Sequence, residues 1–291
     1  MTGLYQLAFA PFVEYSFMRR ALIASLALSL GSGPVGVLLM LRRMSLIGDA
    51  MSHAVLPGAA VGFLVSGLSL WGMTVGGIAA GLTVAIGAGV VSRHTVLRED
   101  ATFAGFYLAS LALGVLLVST HGSNIDLLHI LSGTILAIDN AALFLVGSIA
   151  SVSTIVLLAM YRPLILECFD PAFLRAIRVR GSLYHLMFLI LVVLNLVAGF
   201  QALGTLMAVG LMMLPAATSR FWADDVWSMS LIAIAVAFVS GYAGLVISYR
   251  FGLASGPSIV LTASFFYVLS ILTGKRGSVA SRMVRPRHFT G

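Results

Sequence analysis

From Ala54 to Ser92 the chain carries no Asp, Glu, Lys, Arg or His. A water-soluble fold cannot use such a stretch, because even its outermost residues would have nothing to offer water. A helix crossing the hydrocarbon core of a bilayer needs about 20 mainly apolar residues, so this run suffices for two crossings that turn near Ser66–Trp71. Further uncharged runs cover 21–41, 101–120, 140–161, 226–249 and 251–274. Residues 182–219 hold only His185 as an ionisable group, and are expected to form two shorter helices turning around Asn195–Gln201. The pattern predicts an all-α polytopic membrane protein with eight or nine transmembrane helices, one transmembrane domain over 1–291, and no water-soluble domain left over.

Composition closes off the other classes. Only 9% of the residues are charged and 60% are hydrophobic, against about a quarter charged in a soluble protein. One cysteine, Cys168, excludes an internal disulfide framework and any cysteine-rich zinc or iron–sulfur site. The net charge of +7 would suit a nucleic-acid binder, but its placement argues otherwise. Arg42, Arg43, Arg93, Arg98, the connection at 162–181 with Arg162, Arg175, Arg178 and Arg180, and the basic tail 275–291 all fall between apolar runs. Cytoplasmic loops collect arginine and lysine in this way, and no nucleic acid is implied. The segment 121–139, without Lys or Arg, is expected outside. Nine crossings then place the N-terminal side out and the C-terminal side in. Arg19, Arg20 and Arg250 resist this assignment and would have to snorkel to headgroups. The Arg19-Arg20 pair before a long apolar run, without a small-residue cleavage site, argues against a cleavable signal.

An ionisable side chain inside lipid costs about 2.5–3.5 kcal/mol for Asp at a helix centre. Those that remain near apolar spans therefore need a reason. Asp49 and His53 are four residues apart, which on a helix puts both on one face. A carboxylate oxygen with an imidazole nitrogen can bind zinc, manganese or ferrous ion. Ser52 lies between them, and Pro57-Gly58 can break or widen the helix just beyond. A structural reading is also open at this point. Asp49 lies six residues past Arg43, roughly 9 Å along a helix, and could pair with Arg42 or Arg43 while His53 serves as a packing residue.

Two other polar groups stand out. In the 162–181 connection, Asp170 before Pro171 is a good helix start. Phe173, Leu174 and Ile177 then make an apolar side, with Arg175 and Arg178 on another. Such a helix suits docking onto a soluble partner or lying on anionic lipid. Outside, His121, Asp126, His129 and Asp139 could form a cation-collecting vestibule or be ordinary loop polarity. Asp224-Asp225 fit a solvated turn after Arg220.

The stretch Leu41-Arg42-Arg43-Met44-Ser45-Leu46-Ile47-Gly48-Asp49-Ala50-Met51-Ser52-His53-Ala54-Val55-Leu56-Pro57-Gly58 resembles the signature of the manganese/zinc/iron ABC-transporter permeases. Phe169-Asp170-Pro171, Leu214-Pro215-Ala216-Ala217-Thr218-Ser219-Arg220 and Ser255-Gly256-Pro257-Ser258-Ile259-Val260-Leu261 agree with it in order and spacing. Phe17–Leu22 and Leu131–Ala137 also fit, so the resemblance covers nearly the whole chain.

The resemblance implies the ABC importer permease fold in the plasma membrane of a prokaryote. It implies a homodimer served by two cytoplasmic ATP-binding subunits and an extracytoplasmic metal-binding protein. Asp49 and His53 would lie in the translocation path, and two copies facing a dimer axis would offer up to four ligands to a transported manganese, zinc or ferrous ion. Asp170, Pro171, Phe173, Leu174, Arg175 and Ala176 would belong to a coupling helix that inserts into the ATPase. Arg178 stands where such permeases usually have glycine, and Ala172 where an acidic residue is frequent, so docking contacts are expected to differ. No cofactor is implied on this chain. It has no phosphate-binding G-x-x-x-x-G-K-[ST] loop, so ATP would be held by the partner. The alternative from another class is an ion-coupled secondary transporter with Asp49 as its ion-binding carboxylate.

Overall fold

The computed structural model describes residues 9–67, 69–97, 99–121, 138–169 and 181–280. The chain there is helical throughout. Short α1 (Ala10–Glu14) leads into α2 (Ser16–Leu41), α3 (Ser45–Ser66), α4 (Leu70–His94), α5 (Glu99–His121), α6 (Asn140–Ala159), α7 (Tyr161–Phe169), α8 (Gly181–Leu203), α9 (Thr205–Ser219), α10 (Val226–Phe251) and α11 (Ser255–Thr273). Among the described residues, eight of these helices (α2, α3, α4, α5, α6, α8, α10 and α11) are long and apolar enough to cross a membrane, and α9 is a shorter apolar helix. The count of eight or nine therefore stands.

The turn at Ser66–Trp71 falls where the sequence puts it. α3 ends at Ser66, Gly67 takes φ +63°, and the Ser69 hydroxyl accepts from the Gly72 N–H to start α4. The expected turn at Asn195–Gln201 does not form. Asn195 is buried inside α8, where its amide donates to the Ser153 hydroxyl on α6 and to the Leu191 carbonyl. With both amide donors engaged, Asn195 joins helices instead of ending one. The break comes at Gly204, whose φ of +84° suits glycine and few other residues.

Helix α3 lies at the centre of one half of the molecule, packed on α4 and α5 and touching α8 and α9. α2 plays the same part in the other half, against α10, α9 and α6. Helices in lipid gain little from hydrophobic association and associate through close packing of small residues. Here Gly58 and Gly62 of α3, four apart, face Gly76 and Gly72 of α4, also four apart. A methyl group added at Gly58 would overlap the Gly76 carbonyl, and one at Gly62 the Gly72 carbonyl. Two antiparallel G-x-x-x-G faces thus bring α3 and α4 into backbone contact.

Candidate metal path and the corner that presents it

The geometry of Asp49 begins one helix earlier. α2 closes in a Schellman pattern: the Met44 N–H donates to the Leu39 carbonyl at 2.9 Å and the Arg43 N–H to the Met40 carbonyl at 3.1 Å. The residue at the left-handed position is usually glycine, but here it is Arg43, with φ +59°. The buried Met44 locks the turn. α3 then starts without a side-chain cap, and Asp49 arrives in its second turn.

Asp49 and His53 share a face as predicted. His53 Nε2 is 3.9 Å from Asp49 Oδ1, and their side chains are 38% and 65% exposed. The pair thus looks out from the single chain. His53 lies with its ring nearly parallel to Tyr107 of α5, centroids 6.3 Å apart. Among the described residues its buried Nδ1 has no hydrogen-bond partner. Pro57, inside α3, has no N–H and so leaves the His53 carbonyl without its usual helical donor. Ser52 donates to the Asp49 carbonyl at 2.7 Å, and Ser110 of α5 to the Ala54 carbonyl at 3.2 Å, pinning α5 to this part of α3.

The pairing of Asp49 with an arginine is not what the fold adopts. Arg42 points away from it into a buried cluster, and Arg43 is exposed; among the described residues Asp49 is paired with neither. Nor do three or more His, Cys, Asp or Glu side chains come together in a possible metal site among the described residues.

The cluster around Arg42 is the group that sequence reasoning missed. Its Nη2 donates to Glu167 Oε2 at 2.9 Å, its Nε to Cys168 Sγ at 3.2 Å and its Nη1 to His185 Nδ1 at 3.1 Å. The guanidinium also covers the Phe188 ring at 4.3 Å. Arg42 and Glu167 side chains are only 6% and 12% exposed. Burial pushes the Cys168 thiol up from its ordinary pKa, with the neighbouring Arg42 charge acting the other way. The signal was present in the sequence: Glu167 and His185 are lone ionisable groups beside apolar helices, and such groups need partners. What the sequence did not show was that both would partner Arg42, read there as a topology determinant or a partner of Asp49.

Among the described residues, three further acidic side chains take ordinary structural roles. Asp139 caps α6 by accepting from the Ala142 N–H at 2.7 Å. Asp225 caps α10, accepting from the Ser228 N–H at 2.8 Å, which holds its carboxyl below the usual range. Asp224 pairs with Arg276. Asp126, His129 and the connection residues Asp170, Pro171, Ala172, Phe173, Leu174, Arg175, Ala176 and Arg178 lie outside the described residues. So does the basic tail beyond residue 280.

The family model of the ABC 3 transport family matches residues 14–274. The chain belongs to this family. Among its relatives, the manganese import system permease protein ScaB of Streptococcus parasanguinis is 34% identical over 257 residues, covering 88% of this chain and 90% of that protein. The probable iron transport system membrane protein of Haemophilus influenzae is 27% identical, covering 90% and 96%. The structure of PsaBC from Streptococcus pneumoniae in complex with Fab includes a chain that superposes with a TM-score of 0.84 at 30% identity, covering 97% of this chain and 100% of that one. The protein is thus the multi-pass permease subunit of an ABC transporter, and ATP hydrolysis resides on a separate subunit. Family membership removes the ion-coupled secondary transporter as an alternative.

Proposed function

We propose that this permease carries a divalent transition-metal ion, manganese foremost, with Asp49 and His53 of two copies forming the transient site. The observation that carries the reading is the outward-facing pair: a largely uncovered acid and a partly uncovered imidazole, 3.9 Å apart on a helix built to cross lipid. An uncovered carboxylate facing hydrocarbon is costly, so this face calls for a polar counterpart. A second copy of the same face meets that need and raises the ligand count to four.

The donor set suits the cargo. Carboxylate oxygen and imidazole nitrogen accept manganese, ferrous iron and zinc, whereas a copper(I) path would use thiolate or thioether ligands. Tight metal sites orient each histidine through a hydrogen bond on its second nitrogen; among the described residues His53 Nδ1 has no protein partner to do so. The site is therefore loosely held, as a carrier that must release its ion requires. Relatives named for manganese import and for iron transport support the same cargo class. An extracytoplasmic binding protein would deliver the ion, and the 170–176 connection would dock onto the ATP-binding subunit.

The test is uptake by the reconstituted permease, its ATP-binding subunit and its binding protein, with a panel of divalent ions. Asp49→Ala and His53→Ala are each expected to abolish manganese uptake while the complex assembles and hydrolyses ATP. Undiminished uptake in both variants would refute the path.

A further inference from the structure

We infer that Arg42 is a positioning residue that ties both ends of the 170–180 connection to the helix bearing Asp49. The inference rests on the proposed function, in which that connection receives the stroke of the ATPase. The connection is preceded in sequence by α7 and followed by α8. One guanidinium grips both: Glu167 and Cys168 on α7, His185 and Phe188 on α8. Each of its three nitrogens has a different partner, a use that the planar fork of arginine permits and the single ammonium of lysine does not.

The other end of the tie is equally short. Arg42 is the C-cap of α2, and only Arg43 and Met44 separate it from α3. Both of those N–H groups are held by carbonyls of the last turn of α2, and Met44 is buried. From Arg42 to Asp49 the chain therefore contains no slack segment. A displacement of the α7 and α8 ends must either move this corner, and Asp49 with it, or break the buried cluster. Buried ion pairs are weak contributors to net stability but good at fixing one arrangement. That property is what transmission of a stroke needs.

The cluster contains its own reporter, since Cys168 is the only cysteine in the chain. While the tie is closed, its sulfur accepts from Arg42 Nε at 3.2 Å in a partly buried setting that raises the thiol's pKa, so it should react slowly with N-ethylmaleimide.

The experiment compares wild type, Arg42→Gln and the double variant Arg42→Gln/Glu167→Gln in proteoliposomes with the ATP-binding subunit and manganese-loaded binding protein. The double variant removes the ion pair without stranding a buried charge, so it decides the matter if the single variant fails to assemble. The expected result is retained ATP hydrolysis with manganese transported per ATP reduced about tenfold, within the usual range of coupling between sites. Cys168 labelling should be slow and equal in wild type without nucleotide and with ATP trapped, and faster in the variants. An unchanged ratio of manganese to ATP in the assembled double variant would overturn the inference. So would wild-type labelling that accelerates when ATP is trapped, because the tie would then open during the cycle. Absence of ATP-dependent manganese uptake in wild type would instead overturn the proposed function.

Discussion

Replacing Gly58 by alanine is a direct test of the α3–α4 contact that fixes the metal helix. The added methyl overlaps the Gly76 carbonyl, a backbone atom that cannot rotate away. Non-bonded atoms settle about 3.5–4.0 Å apart, so the helices must part by about 1–2 Å, and a gap of that order forfeits at least a quarter to a half of each contact's attraction. Overpacking of this kind costs about 1–3 kcal/mol, while alanine returns up to about 1 kcal/mol as the better helix former. The net loss is about 1–2 kcal/mol, which corresponds to a fall in Tm of about 2–8 °C. Gly147→Ala on α6 is the control, because its new methyl meets nothing within 4 Å. Thermal unfolding of the detergent-purified variants, followed by intrinsic fluorescence, separates the two. The packing argument fails if Gly58→Ala and Gly147→Ala have the same Tm.

Arg43→Gly should relieve the left-handed backbone at the α2–α3 corner, worth about 1–2 kcal/mol by the usual side-chain penalty, and raise Tm; a fall would show that the Arg43 side chain stabilises the corner through contacts of its own. Asn195→Ala and Ser153→Ala should each destabilise the α6–α8 contact, with a coupling of about 0.6–1.7 kcal/mol in a double-mutant cycle, and strictly additive effects would discount the 2.8 Å bond between them. The Asp225 cap has a lowered folded pKa. Its contribution is therefore complete above the ordinary aspartate pKa and lost as pH falls through the folded value. Asp225→Asn, which can still cap, should flatten the acid limb of a Tm-against-pH series, and an unchanged limb would assign it to other carboxylates.

The helices were legible because lipid leaves so little choice: a run of apolar residues either crosses or does not, and Ser66–Trp71 is bounded by Gly67 and Ser69, both with evident turn chemistry. Asp49 and His53 were legible because a spacing of four is a local property of one helix. The misplaced turn at Asn195–Gln201 has a different origin. A polar residue in a long apolar run reads as a break unless its partner is known, and Ser153, on another helix, is not local information. The Arg42 cluster was hidden for the same reason. Arg42 lies 125 to 143 residues from Glu167, Cys168 and His185, so their need for a partner was legible but its identity was not.

The short helix α9 has a consequence for counting. Its 15 residues rise about 22 Å, against a hydrocarbon core about 30 Å thick. A hydropathy window of full crossing length therefore passes over it, yet among the described helices it sets the parity of the crossings. Counted, it makes the crossings odd and puts Ser16 and Thr273 on opposite faces of the membrane; omitted, it puts them on the same face. A pair of compartment-sensitive reporters placed before α2 and after α11 would thus read out a helix that neither of them touches. The sign of that result hangs on Gly204, the residue whose left-handed turn separates α9 from α8.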